Sequence, residues 1–262
     1  MQATAVNQTT QQVAAESHDP GLPGAGPRVG GPHPVTAIVQ RLAEAFRPWG
    51  FAVRDLPLLA TEQENFDLLG YPDDHPTRTQ LTFSPVRGVV LRTHASSGIP
   101  AVLREATGPA RSLLVGTCFR NERPSQFSSS QFTQIDGIAV EPGLGLPELV
   151  GLLEVMVGAL FGPDHPWWLN RSHYPFTAVG FAVEVACPRC SGGCGECHGR
   201  GRVEIGSGGL LARDVLAACG CQDDWTAVSF GCSVERLLRL SHGVTDIRPL
   251  LGGDAGFLAQ FD

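Results

Sequence analysis

The sequence contains no apolar run of membrane-spanning length, which argues against a transmembrane helix. Residues 1–32 lack the basic-then-apolar pattern of a secretory signal, so the expected compartment is the cytoplasm. Basic residues are outnumbered 26 to 19, and the formal charge of −7 argues against a broad electrostatic surface for RNA. Only a local basic patch is compatible with that balance. Large apolar residues are scarce in 1–32, a stretch rich in Gln, Thr, Gly and Pro. It is expected to stay an unpacked, disordered tail, leaving a folded domain over 33–262. No internal repeat interrupts that domain. Its 42% hydrophobic content in a chain of 262 residues is enough for one substantial core, with room for a small appendage.

From Val35, apolar Ile38, Val39, Leu42, Phe46 and Trp49 recur at helical spacing, and Gly50 is a stop signal. Pro147 opens a second amphipathic stretch carrying Leu149, Leu152, Leu153, Met156 and Leu160, closed by Gly162-Pro163. Both stripes are read as core packing. Short β-prone runs fall at 113–119, 135–140, 181–186, 203–205 and 227–230. Successive strands with short turns, and helices grouped before and after, predict an α+β fold with an antiparallel sheet.

Cys187, Cys190, Cys194 and Cys197 form two CxxC pairs with Gly195, Gly199 and Gly201 close by. A CxxC turn points both sulfurs the same way, and four thiolates satisfy a tetrahedral structural zinc with no position open for catalysis. The competing readings are two disulfides or free thiols; the compact spacing and a reducing compartment favour zinc in a knuckle over 187–201. Cys118, Cys219, Cys221 and Cys232 lie outside it. Cys219 and Cys221 are a possible CxC metal pair, but ordinary burial near a helix end is the expectation.

Two separated segments carry chemistry. Gly116-Thr117-Cys118-Phe119-Arg120-Asn121-Glu122 is followed by Gln131-Phe132-Thr133-Gln134-Ile135-Asp136-Gly137. This reads as two strands around a polar loop, with one arginine and one carboxylate at a strand end. Downstream, Phe230-Gly231-Cys232-Ser233-Val234-Glu235-Arg236-Leu237 puts Gly231 at a strand end and Glu235-Arg236 at a helix start. Two arginines on rigid elements suit a nucleotide triphosphate.

The pair resembles motifs 2 and 3 of class II aminoacyl-tRNA synthetases, and its surroundings resemble the catalytic core of the phenylalanyl-tRNA synthetase alpha subunit. His33-Pro34-Val35-Thr36 opens the match, and the stretch from Gly50-Phe51 to Pro57 resembles motif 1. Asn65-Phe66-Asp67, His75-Pro76-Thr77-Arg78 and the segment from Leu91 to Ser96 follow in the family's order. Tyr174-Pro175-Phe176-Thr177, the run from Val244 to Arg248 and a closing segment from Phe257 to Phe261 complete it. The resemblance implies a class II synthetase-type sheet flanked by helices, and some alpha subunits carry a similar Cys-rich hairpin.

It further implies ATP-dependent activation of phenylalanine or a related amino acid as the aminoacyl adenylate, with ATP, Mg and Zn as cofactors. Arg120 would clamp the α-phosphate and the substrate carboxylate, and Arg236 would hold the nucleotide from the opposite side. Glu122 would face the adenine amino group, Glu204 would be a magnesium carboxylate, and Glu235 would belong to the ATP site. His94, Ser96, Gln134 and Asp136 correspond to the contacts with the substrate ammonium and their supports. Tyr174 and Phe176 would pack on the substrate ring, with Ser229 on the floor of its pocket where alanine is common.

Several residues depart from the family pattern. The loop 123–130 lacks the usual Thr-His, Thr133 replaces a histidine, and Ala178-Val179 replaces Glu-Pro. Ser233 stands where glycine is usual and Asp136 stands for a glutamate. The family's N-terminal coiled coil and any beta-subunit-like segment are missing from this sequence. The expectation is therefore a free-standing paralogue, a homodimer through motif 1, passing its product to tRNA or to a carrier protein, peptide or small molecule. A non-catalytic sensor of amino acid or nucleotide is the alternative; retention of Arg120, Glu122, Glu235 and Arg236 favours the enzyme.

Overall fold

The computed structural model describes residues 30–261. The tail expected over 1–32 falls, up to residue 29, outside the described residues. Helix α1 (Pro34–Phe46) begins where His33 Nδ1 accepts from the Val35 N–H at 3.2 Å, with proline in the first turn. It buries Ile38, Leu42 and Phe46, three residues on one face, and the chain leaves it through Gly50 in the left-handed region at φ 81°.

Strand β1 (Ala52–Asp55) follows, then the short β2 (Leu59–Thr61), helices α2 (Glu62–Asn65) and α3 (Pro76–Gln80), β3 (Val89–Leu91) and α4 (Ile99–Glu105). The long strands β4 (Ala110–Phe119) and β5 (Gln131–Pro142) form the hairpin anticipated around the polar loop. Helix α5 (Leu146–Phe161) starts at a capping contact in which Glu148 accepts from the Gly145 N–H at 2.7 Å. Strands β6 (Trp167–Ser172), β7 (Thr177–Ala186) and β8 (Arg202–Leu211), helix α6 (Arg213–Ala218), strand β9 (Trp225–Ser233) and helix α7 (Val234–His242) complete the core. Helices α8 (Arg248–Gly252) and α9 (Ala255–Leu258) close the described chain.

The main sheet runs β1-β4-β5-β9-β8-β7-β6. Every β-prone run lies inside one of its strands, but the expected antiparallel sheet is mixed. β1 pairs with β4 in parallel, Ala52 opposite Ser112 through Asp55 opposite Val115. The reason is the crossover of residues 56–109 between them, long enough to bring the chain back in the same direction. One face is covered by α1, α5 and α7 around Phe46, Leu149, Met156 and Leu238. On the other face, α4 and α6 cover the flank with Ile99, Leu103 and Val215. Over the middle strands, segments carrying Ser96, Tyr174 and Phe176 close a small cavity on this face. No helix among the described residues is long and apolar enough to cross a membrane.

Candidate active site

The floor of that cavity follows from strand register. Asp136 on β5 lies opposite Gly231 on β9, which lies opposite Ser207 on β8; Ile138 lies opposite Ser229, which lies opposite Gly209. Side chains of alternate residues share a face, so this one carries Gln134 and Asp136 beside glycine and serine. A Cβ at Gly231 would collide with the Asp136 carboxylate, so only glycine leaves that group its place.

Ser96, Gln134, Asp136, Tyr174, Phe176 and Ser229 all line one cavity on this floor. The Asp136 carboxylate accepts from the Ser96 hydroxyl and from Gln134 Nε2, the latter at 2.8 Å. Burial pushes its pKa up to about 6, against the pull of those two hydrogen bonds and of Arg120. Gln134 Oε1 is buried with no partner among the described residues, an acceptor left over for a donor such as an ammonium group. Tyr174 and Phe176 stand with ring centroids 6.1 Å apart at 31°, forming one apolar wall. His94 is buried just behind and stacks on Tyr71 at 5.6 Å; burial, then the Arg120 charge, lowers its pKa to about 3 and keeps it neutral.

A second groove adjoins this cavity, lined by Arg120, Glu122, Phe132, Ser233 and Arg236. Arg120 stands at the end of β4, with its guanidinium 4.9 Å from the Phe132 ring and Nε donating to the Thr93 carbonyl at 3.2 Å. Its backbone N–H closes the loop by donating to Ser130 O at 2.9 Å. Arg236, at the start of α7, is half exposed and pairs with Glu204 on β8 at 3.2 Å. These two, anticipated from segments far apart in the sequence, line one groove. Glu235 lines the same groove and is also buried, accepting from the Thr133 N–H at 2.7 Å and from the Ser233 hydroxyl at 3.3 Å. Burial raises its pKa, opposed by these hydrogen bonds. It fastens the start of α7 to β5, so that Arg236 leans over the groove.

The segments Asn65-Phe66-Asp67 and His75-Pro76-Thr77-Arg78 find their roles one layer back. Asn65 grips Thr93 from both sides, donating Nδ2 to its hydroxyl at 2.9 Å and accepting its N–H at 3.2 Å. Arg78 bonds Asp67 at 2.5 Å and lies over the Phe66 ring. Together they fix residues 92–94, whose carbonyls receive Phe119 N–H and Arg120 Nε. Three further residues have a place at the site that their local sequence does not announce. Phe132 shares the alternation of Gln134 and Asp136, so period-two counting from Asp136 reaches it. Phe127 sits in an irregular loop with no such signal. Arg92 is buried, donates Nε to Thr117 O at 2.6 Å, and fits only because Gly116 beneath it has no side chain.

The cysteine knuckle fills residues 187–201, between β7 and β8. Its four sulfurs all lie within 4.8 Å of one another. Sulfurs about 2.3 Å from a central zinc would stand about 3.8 Å apart in a tetrahedron. The Cys187–Cys194 and Cys194–Cys197 separations are 3.8 Å and Cys190–Cys197 is 3.7 Å. A disulfide requires about 2.05 Å, and all four cysteines are free. Backbone N–H groups of Gly193, Cys194 and Gly201 point at the sulfurs of Cys190, Cys197 and Cys197, at 3.2, 3.2 and 3.3 Å. The donor set fits a metal ion. Outside the knuckle, Cys219 is buried at the end of α6, as expected, and Cys118 and Cys232 are buried in strands.

The family described as tRNA synthetases class II core domain (F) matches residues 17–261. The chain belongs to that family. The match begins at residue 17, inside the stretch read as a tail. Curated relatives include the phenylalanine–tRNA ligase alpha subunit of Bacillus subtilis (strain 168), 32% identical over 256 residues, covering 96% of this chain and 74% of the relative. Those of Geobacillus kaustophilus and Alkaliphilus oremlandii are each 34% identical, covering 96% of this chain and 74% and 75% of their own lengths. The sheet and its flanking helices are thus those of a class II tRNA synthetase core domain.

Proposed function

We propose that this chain joins an amino acid to ATP as the aminoacyl adenylate, with phenylalanine or a close relative as substrate. The observation that carries this is adjacency: the cavity of Asp136, Gln134 and Tyr174 opens beside a groove lined by Arg120 and Arg236. In the reaction, a substrate carboxylate oxygen bonds to the α-phosphorus in line as the bond to pyrophosphate breaks. Two anions approach, so Arg120 acts where their charge concentrates. Arg236 holds the nucleotide from the other side, and Phe132 offers a flat apolar face for the base. Glu122 accepts from the adenine amino group. Glu204, half exposed beside Arg236, is the carboxylate for magnesium, which would neutralise the departing phosphates.

Asp136 and Gln134 receive the ammonium group while Ser96 orients the carboxylate, and His94, kept neutral, supports them. Tyr174 and Phe176 flank the side chain above Ser229. Pyrophosphate exchange across all amino acids tests this reading: exchange with an aromatic amino acid supports it, and exchange with none refutes it.

The acceptor proposed is tRNA, the substrate in the relatives' names. The formal charge of −7 favours a second reading, in which a carrier protein, peptide or small molecule takes the aminoacyl group. Charging of bulk tRNA with labelled phenylalanine separates the two. For the knuckle we propose zinc, which would clamp the hairpin; protein purified without added metal is expected to hold about one zinc per chain. Elemental analysis checks this, and folded protein without metal contradicts it.

We also propose a homodimer through the segment 50–57. Trp49, Val53, Leu58 and Leu59, between 47% and 52% exposed, cluster in sequence around the outer strand β1. Unburied apolar side chains along an edge strand are what a twofold partner would cover. Light scattering at micromolar concentration is expected to give twice the 27.8 kDa chain mass. Active protein of monomer mass would overturn it.

A further inference from the structure

The knuckle faces the loop between β4 and β5. Glu196, between two knuckle cysteines, receives the Arg239 guanidinium at 2.6 and 2.5 Å. Arg239 projects from α7 and is nearly buried. Its flat face lies 4.2 Å from the centroid of Phe127, at the tip of the loop. Phe127 itself is 55% exposed, so this cation is a main part of what covers it. Around Phe127 the loop is stapled to itself. The Ser125 hydroxyl accepts from the Phe127 and Ser128 N–H groups, both at 3.1 Å, which keeps the turn compact. The tip is also held by Ile247, whose N–H donates to Gln126 O at 3.2 Å. Phe127 lines the groove that holds Arg120, Glu122 and Arg236.

We propose that the cysteine knuckle positions the β4–β5 loop over the nucleotide groove, through Glu196, Arg239 and Phe127. The cysteine hairpin holds Glu196, Glu196 fixes the plane of the Arg239 guanidinium, and that plane is the seat of Phe127. The loop carries Glu122 at its root, so releasing the tip loosens the nucleotide side of the site and leaves the amino-acid cavity alone. Glu196 and Arg239 lie outside the lining of that groove and Phe127 forms part of its wall; all three act as positioning residues. The inference rests on the nucleotide groove proposed above, but its first test does not need activity.

Hydrogen exchange over residues 121–130 would be compared in the wild type, Glu196→Gln, Phe127→Ala, Phe127→Trp and Arg200→Gln. Arg200 pairs with Glu184 at 3.2 Å and joins the knuckle to β7. Glu196→Gln and Phe127→Ala are expected to speed exchange of the loop amides about three- to tenfold, the range of a lost partly shielded cation–π seat. Phe127→Trp keeps wild-type protection, and so does Arg200→Gln. Treatment with a chelator speeds exchange in the wild type and adds nothing over 121–130 in Phe127→Ala. In pyrophosphate exchange, Glu196→Gln raises the KM for ATP about threefold or more, with kcat and the amino-acid KM within about twofold. Unchanged loop protection in folded Glu196→Gln overturns the proposal, as does equal loosening by Arg200→Gln. If the protein exchanges no amino acid at all, the adenylation reading fails while the loop protection still decides this one.

Discussion

Arg120→Ala is expected to reduce amino-acid-dependent pyrophosphate exchange by about two to three orders of magnitude while leaving the fold intact. One preorganised charged donor at a developing anion contributes about 3–4 kcal/mol to the transition state, which sets that range. The fold should tolerate the change because the Arg120 side chain is held by one bond to Thr93 O and by packing on Phe132. Arg236→Ala should behave differently. Its guanidinium is half exposed and meets the nucleotide already in the ground state, so the expected signature is a raised KM for ATP with a smaller fall in kcat. Steady-state exchange at varied ATP separates the two. Near-normal exchange in Arg120→Ala would mean that the α-phosphate clamp lies elsewhere.

Asp136→Asn should lose the substrate and gain stability. Burial raises the Asp136 pKa from 3.8 to about 6, so the folded state holds its proton more tightly than the unfolded state does. The ionised group therefore costs stability at every pH above about 6, and that cost fades as pH falls from 6 towards 3.8. At pH 7.5 the variant is expected to be more stable by roughly 1–3 kcal/mol, with the gap narrowing below about pH 6 and closed by about pH 3.5. Denaturant melts at the two pH values check it. The same variant should weaken amino-acid binding about a hundredfold or more, because the buried ammonium loses its counter-charge.

The wild type should show the linked effect. Its amino-acid KM is expected to rise about tenfold per unit as pH falls below about 6, with the ATP KM far less affected. All 19 of the basic side chains are arginine, which keep their charge throughout this window, and His94 stays neutral. A flat amino-acid KM between about pH 7 and 5 would contradict this assignment.

Much of this site can be read from residue order. The two arginines, the set proposed to bind the ammonium group and the aromatic pair sit in segments whose residue types already suit the proposed chemistry. Helices α1 and α5 are legible because a stripe of apolar residues between clear start and stop signals has one interpretation. Other features depend on contacts between distant parts of the chain. The parallel pairing of β1 is set by the crossover of residues 56–109, and its four residues have no buried alternation to betray a strand. β6 is an edge strand whose residues are half-buried or exposed throughout, so its period is faint. Glu235 lines the groove beside Arg236, but its bond from the Thr133 N–H, which ties α7 to β5, joins residues about a hundred positions apart and is not legible locally. The Glu196–Arg239–Phe127 chain joins three segments that no local pattern relates.

The most direct measurement of the central claim is the product itself. Protein incubated with ATP, magnesium and phenylalanine, then passed rapidly through a desalting column, would be analysed by mass spectrometry for bound nucleotide. The account predicts phenylalanyl adenylate, or that of a related amino acid in a parallel trial, retained in proportion to the chain and absent from Arg120→Ala. Bound ATP with no adenylate for any amino acid, in protein with an intact fold, would contradict it.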